Sequence, residues 1–294
     1  MTRILITLIG LLVALPAICA DEGIINIKGN FASMTCDENK NTYLLDQDNR
    51  LIKIKPDGEI KIIDLPKIME AKPQDRFCDL AVKGNKIYLC GFAFPVVFEL
   101  DLNKPEDYKI IKASDQEATR LNIINLSKKT GCLLIRDAEG YLFKLKNNQP
   151  LEKLPDYAAI ESSPEGPIQV IPPPATPDEK NNEGSMTVLD ENQNIIWKAP
   201  IPKSPRRVRS VEFLGTDKKN RNYYLVMTQS GELDSVFTIY AVDKGKIIAQ
   251  QNIPTPINLE MQRFCVLSSD GTVTFAEPAS ETSINIRRIS FAKN

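Results

Sequence analysis

Histidine is absent from all 294 residues. That removes the usual general base, the usual zinc and copper ligand, and any haem held through imidazole. A Ser-His-Asp hydrolase is excluded outright, and no Cys-x-x-Cys pair stands in for the missing zinc ligands. Aromatic residues make up only 7 % of the chain, with Trp197 the single tryptophan. Neither charge sign dominates: 37 Lys and Arg face 38 Asp and Glu. A basic face or stripe suited to nucleic acid is therefore not expected. Beyond the first 20 residues no apolar run approaches the roughly 20 residues that span a bilayer, so no transmembrane segment is expected. Carboxylate chemistry, calcium held by oxygen ligands, and binding without catalysis stay open.

The N-terminus is the one strongly apolar stretch. Arg3 precedes Ile4 to Leu15, interrupted only by Thr7 and Gly10, and Pro16 closes the run. Ala17-Ile18-Cys19-Ala20 then leads to Asp21-Glu22. A basic start, an apolar centre of about 12 residues and a small residue before the cut predict a secretory signal over 1–20, cleaved after Ala20. A lipid-modified Cys19 is the rival, but Ile18 stands where that pattern wants a small residue and Pro16 where it wants an aliphatic one. The expected product is a single domain over 21–294, periplasmic or secreted, without Arg3 and so with 36 basic against 38 acidic residues. Five cysteines remain, and in an oxidising compartment some should pair. Cys78 and Cys90 flank Lys83-Gly84-Asn85. A three-residue loop there would set them opposite each other in a hairpin, giving a candidate disulfide. Five small buried side chains are the plain alternative.

Internal period carries the fold. Leu51–Ile54, Val97–Leu100, Leu142–Leu145, Met186–Leu189, Ile239–Val242 and Ser283–Ile286 repeat one strand signature, read as the outer strand of each unit, with last residues 54, 100, 145, 189, 242 and 286. Successive intervals are 46, 45, 44, 53 and 44. Gly215 to Arg221, a polar stretch, is the expected place for the extra residues of the long one. Each unit reads as four short strands split by turn residues, which is the mark of propeller blades. The prediction is an all-β chain, a six-bladed β-propeller with blades at about 30–66, 76–113, 118–155, 157–200, 206–254 and 262–291. Ile24–Ile27 is the spare strand that closes the last blade and hides its edge. A pair of β-sandwiches is the competing architecture. Ile68–Ala71 is the expected short turn of helix, and the Pro-rich stretch 172–184 an expected protruding loop.

Asp46 to Gly58 resembles the blades of NHL-repeat and gluconolactonase-like propellers. Val188 to Trp197 and Tyr240 to Ile247 resemble quinoprotein-type repeats. The likeness lies in period and turn chemistry, and so speaks for fold rather than activity. Quinoprotein dehydrogenases carry tryptophan in most blades, which this chain does not. A gluconolactonase-like enzyme would imply a metal held by Glu, Asn and Asp; Glu38, Asn122 and Asp270 are residues of that type, and turn residues at strand ends are the plain reading of all three.

Four units open their innermost strand with arginine: Arg76, Arg120, Arg207 and Arg263. The triplet Arg-Phe-Cys occurs at both 76–78 and 263–265. Guanidinium groups present planar donor pairs suited to carboxylate and phosphate. If they ring one opening, they predict an anionic small ligand or an acidic segment of a protein partner there; pairing with carboxylates such as Asp75 and Glu260 is the plain alternative. Three functions follow: a non-enzymatic binding or scaffold propeller, a calcium-dependent hydrolase or lactonase with calcium as its cofactor, and a structural part of an envelope assembly.

Overall fold

The computed structural model describes residues 20–65, 76–91, 94–112, 121–127, 131–145, 152–154, 160–163, 166–171, 184–189, 194–201, 206–230, 234–254 and 261–291. The signal segment over residues 1–19, Arg120, the expected helical turn at 68–71, Asp75, Glu260 and the loop at 172–183 lie outside the described residues.

Every regular element among the described residues is a strand. The chain opens with β1 (Ala20–Lys28) and then lays down β2 (Phe31–Cys36), β3 (Thr42–Asp46), β4 (Arg50–Ile54) and β5 (Ile60–Asp64) as one sheet. The second sheet is β6 (Phe77–Lys83), β7 (Lys86–Gly91), β8 (Phe94–Asp101) and β9 (Lys104–Lys112). The third is β10 (Leu121–Leu126), β11 (Leu133–Asp137), β12 (Leu142–Leu145) and β13 (Glu152–Lys153). The fourth is β14 (Ile160–Ser163), β15 (Gly166–Ile171), β16 (Gly184–Leu189) and β17 (Ile195–Ile201). The fifth is β18 (Arg207–Thr216), β19 (Asn222–Gln229), β20 (Ser235–Asp243) and β21 (Lys246–Ile253). The last sheet takes β22 (Cys265–Leu267), β23 (Thr272–Ser280) and β24 (Ser283–Ser290), with β1 as its fourth strand.

All six sheets are four-stranded and antiparallel, five of them meanders of consecutive strands and the last completed by β1, and their first strands are neighbours in turn: β2 lies beside β6 and β22, β10 beside β6 and β14, and β18 beside β14 and β22. Ser33 of β2 and Arg263, two residues ahead of β22, make a parallel bridge, so these two first strands run the same way along the axis. This is a β-propeller arrangement, and it replaces the sandwich alternative, since no two sheets stack as a single pair of layers. Sheet-to-sheet packing supplies the core. Between the first and second sheets Leu45, Leu51 and Ile63 meet Phe77, Leu89 and Phe98. Between the last and first, Val266, Ile284 and Ile286 meet Met34, Leu44 and Ile52. β1 pairs antiparallel with β24, Ile25 opposite Ile286 and Ile27 opposite Ile284, so apolar residues on alternate positions carry it into that last core.

Two readings of the repeat need correction. The repeated signature ending at 54, 100, 145, 189, 242 and 286 marks the third strand of each sheet, while the outer edge is formed by β5, β9, β13, β17, β21 and β1. The third strand is packed on both faces and the outermost on fewer, as Ile60 and Ile62 of β5 illustrate by standing exposed; the stronger apolar signal therefore belongs one strand inward. The long interval before 242 is not an insertion at 215–221 either. The turn itself, 217–221, is five residues long, as is the turn at 37–41, and the length goes into β18 and β20, 10 and 9 residues long.

The two turns share one design. Asp37 Oδ1 accepts from the backbone N–H of Asn39 and Asn41, and its Oδ2 from Asn41 and the Tyr43 hydroxyl. Asp217 repeats this with Lys219, Arg221 and Tyr223. Both place a non-glycine residue, Lys40 and Asn220, in the left-handed region at φ 63° and 58°, which is costly by about 1–2 kcal/mol and is held there by the carboxylate's hydrogen bonds.

Candidate binding site

The first strands bring a polar layer to the axis. Asp79 interrupts the apolar run of β6 and is fully buried. Its Oδ2 is 2.7 Å from a guanidinium nitrogen of Arg263 and accepts from the Ile124 N–H at 2.9 Å, while its Oδ1 accepts from the Ser33 hydroxyl. Arg263 also donates to the carbonyls of Ile124 at 2.9 Å and Leu80 at 3.3 Å. One carboxylate and one guanidinium thus tie together four sheets, the first, second, third and last. Burial pushes the Asp79 carboxyl above its ordinary range, and Arg263, Ser33 and the N–H groups of Ile124 and Leu80 pull against that. Breaking such a pair by removing one partner leaves an uncompensated buried charge.

Just beyond this layer, where the first strands run out into their turns, lies a cavity of about 470 Å³. Cys36, Ala81, Leu126, Leu214 and Val266 give it apolar walls from five sheets, and Arg263 and Glu212 line it as well. Glu38, Lys83 and Lys218 stand at its rim on the turns. Lys83 reaches across to the Gly131 carbonyl at 2.8 Å, and Lys40 pairs with Asp270 at 2.5 Å. The volume is within the range of sites that hold a small molecule or a few side chains.

Of the four arginines, Arg120 lies outside the described residues, and the other three are not gathered at one opening. Arg263 is drawn inward to Asp79. Arg76 is exposed at the start of β6, donating to the Gln47 side chain at 2.9 Å, and Arg207 is exposed at the start of β18. Arg76 and Arg207 therefore stand at the strand-start end of the channel, and the cavity is at the turn end. Of the metal-type residues, Glu38 is at the cavity rim, Asp270 is engaged by Lys40, and the Asn122 side chain lies outside the described residues. Among the described residues no three His, Cys, Asp or Glu side chains are gathered to hold a metal ion, and no helix is long and apolar enough to cross a membrane.

Cys78 and Cys90 are buried and unbridged. The loop between β6 and β7 has two residues, Gly84 and Asn85, rather than three, so Lys83 pairs with Lys86 and Cys90 falls opposite Asp79. A bulge at Cys78 restores proximity: its thiol faces the Cys90 carbonyl at 3.5 Å and the Leu121 carbonyl at 3.5 Å. Burial, then hydrogen bonding with Cys78, pushes the Cys90 thiol well up, so it stays protonated.

Asp79 and Glu212 were not singled out from sequence. A lone carboxylate inside Phe77-Cys78-Asp79-Leu80-Ala81-Val82 is a legible signal, because an apolar strand tolerates a buried charge only with a partner.

No protein-family model matches the chain, and no curated protein matches it. Solved structures do. The structure of BBS1N in complex with ARL6DN is similar at TM-score 0.53 and 10 % identity, over 95 % of this chain and 99 % of that one. The structure of YCF48 bound to D1 peptide is similar at TM-score 0.50 and 12 % identity, over 92 % and 97 %. The likeness is one of fold. It supports the β-propeller and gives no family-level support to the NHL-repeat, gluconolactonase-like or quinoprotein-type resemblance.

Proposed function

We propose that this chain is a six-bladed propeller, exported to the periplasm or beyond, that acts as a non-enzymatic scaffold and holds a segment of a protein partner at the turn end of its central channel. The observation that carries this reading is the cavity of about 470 Å³ over the Arg263–Asp79 layer, with apolar walls contributed by five sheets. Six four-stranded sheets whose first strands adjoin in turn support the blade count, and the composition of residues 1–20 supports export. The two similar structures each hold a protein partner, ARL6DN in one and D1 peptide in the other. Recognition of an anionic ligand by four arginines is the weaker reading, because Arg263 is spent on Asp79. Calcium-dependent hydrolysis is weaker too, with Asp270 tied to Lys40.

The test is a random-peptide display selection against the protein, repeated on Thr35→Trp, which fills the cavity from β2. Peptides that bind the protein and lose binding to the filled variant are the expected result. Peptides indifferent to Thr35→Trp, or a thermal shift with calcium that EDTA reverses, would overturn the reading.

A further inference from the structure

β6 and β10 are each the innermost strand of a sheet, and each turns one row of main-chain groups toward the channel. Along a strand these groups alternate in direction, so residues two apart present theirs on the same edge. The Arg263–Asp79 layer shows which residues face the axis. Arg263 takes the carbonyls of Leu80 in β6 and Ile124 in β10, and Asp79 Oδ2 takes the Ile124 N–H. On the first sheet Met34 gives its N–H to the Arg263 carbonyl. Main-chain groups on the channel edges are therefore recognition groups already, and at this level the protein's own ion pair uses them.

Two residues further on, the same phase falls on Val82 in β6 and Leu126 in β10, and both line the cavity. Ser127 confirms the phase on β10, since it donates the opposite way, to the Cys132 carbonyl ahead of β11. No ladder covers this side. The second and third sheets end at β6 and β10, and the one isolated bridge between first strands among the described residues joins Ser33 to Arg263, a layer below. The cavity wall thus combines apolar side chains with two strand edges whose donors and acceptors turn inward. Whatever displaces water from those edges has to return hydrogen bonds of the same kind.

We propose that the partner segment is held by its own main chain. A short extended stretch adds to the channel edges of β6 and β10, pairing its N–H and C=O groups with those of Val82 and Leu126 and turning its side chains to the apolar walls. An extended peptide carries the alternating donors and acceptors that a strand edge matches, so the main chain supplies affinity and the side chains only have to fit. The inference rests on the segment-binding reading and deepens it: the partner is recognised by its backbone, with small apolar side chains, and no charged side chain is required.

The test titrates the protein with Ac-Ala-Val-Ala-NH2, with the same peptide N-methylated at valine, and with Ac-Ala-Leu-Ala-NH2, by ligand-observed NMR and calorimetry. N-methylation should weaken binding roughly three- to tenfold, the loss of one neutral hydrogen bond, while the leucine peptide stays within about twofold of the parent. On the protein side, Leu126→Pro removes a channel-facing N–H and spares the ladder to β11, because proline is tolerated where the N–H points off the sheet. It should weaken the parent peptide more than Leu126→Ala, which keeps that N–H. Equal binding of the N-methylated peptide, no binding of the parent, or equal effects of the two Leu126 variants would overturn the inference. The N-methylated probe needs no variant, so it decides the matter even if Leu126→Pro fails to fold. Display peptides that lose binding to Thr35→Trp yet tolerate N-methylation at every position would also overturn it, while leaving the scaffold reading intact.

Discussion

The same tripeptide, Arg-Phe-Cys, occurs at 76–78 and 263–265 and meets two different fates. Arg76 is exposed and touches Gln47, whereas Arg263 is pulled inside and bound by Asp79 and two carbonyls. Phe77 is buried in the first inter-sheet core, edge-on to Phe98; Phe264 precedes β22, only partly buried, edge-on to Phe237. Cys78 sits in a bulge with carbonyl acceptors for its thiol, while the Cys265 thiol is buried with its proton held by burial and by the nearby charge of Glu212. The difference is set by what lies across the channel. A guanidinium at the start of a first strand goes inward when a neighbouring strand offers an isolated buried carboxylate, and otherwise stays in water. Local sequence decides the side chain, and the facing strand decides its use.

The largest expected effect separates the two arginines. Arg263→Gln should destabilise by about 3–5 kcal/mol, because it strands Asp79 as a buried charge. Arg76→Gln should fall within about 0.5 kcal/mol, as surface changes do. Urea unfolding of both variants checks this. The phenylalanines come next: Phe77→Ala should cost about 3–5 kcal/mol, and Phe264→Ala clearly less, because it starts partly exposed. The cysteines give the finest distinction. Cys78→Ser should be tolerated better than Cys265→Ser, by about 1 kcal/mol or more, because a serine hydroxyl at 78 finds two carbonyls and one at 265 is buried in an apolar core.

Sequence reached further into the strands than into the axis. The period of about 45 located every third strand, because that strand is covered on both faces and its apolar pattern is strongest. Ile24–Ile27 could be placed beside the last blade because an exposed edge needs cover. The axis was opaque for a physical reason: Ser33, Asp79 and Arg263 are far apart in the chain, and only closing the ring brings them to one level. Arg263 and Arg76 look alike until Asp79 is placed between them. The cysteine pair shows how small the margin is. One residue fewer in the loop at Gly84–Asn85 moved Cys90 opposite Asp79, and only the bulge kept the thiols close. We propose that in an oxidising compartment these two can still be bridged by a thiol–disulfide oxidase, which non-reducing peptide mapping would detect as a Cys78–Cys90 linkage.

The turn carboxylates Asp217 and Asp270 extend the comparison. Asp217 is held below the usual carboxylate range, with burial opposing and the hydrogen bonds from Arg221 and Lys219 prevailing; Asp270 is likewise lowered, by Lys40 and Thr272 against burial. Groups with depressed folded pKa values contribute stability above their unfolded value of about 4 and lose it as pH falls through the folded one. Acid unfolding should therefore set in below about pH 4 and become shallower in Asp217→Asn. Gly271 packs against this turn: a Cβ there would sit 2.5 Å from the Tyr223 hydroxyl and 2.7 Å from Arg221, at φ +91°. Gly84, at φ +58° with open space around it, is its control. Gly271→Ala should cost several-fold more than the roughly 1–2 kcal/mol expected of Gly84→Ala from backbone alone.

The account stands or falls on Arg263 belonging to the interior. A double-mutant cycle on Asp79→Asn and Arg263→Gln, read by urea unfolding, measures that directly. Coupling of about 2 kcal/mol or more, with the double variant more stable than the single changes sum to, is the predicted result. Coupling near zero would mean that Arg263 does not bind Asp79, and would return it to the open mouth as a ligand-binding arginine.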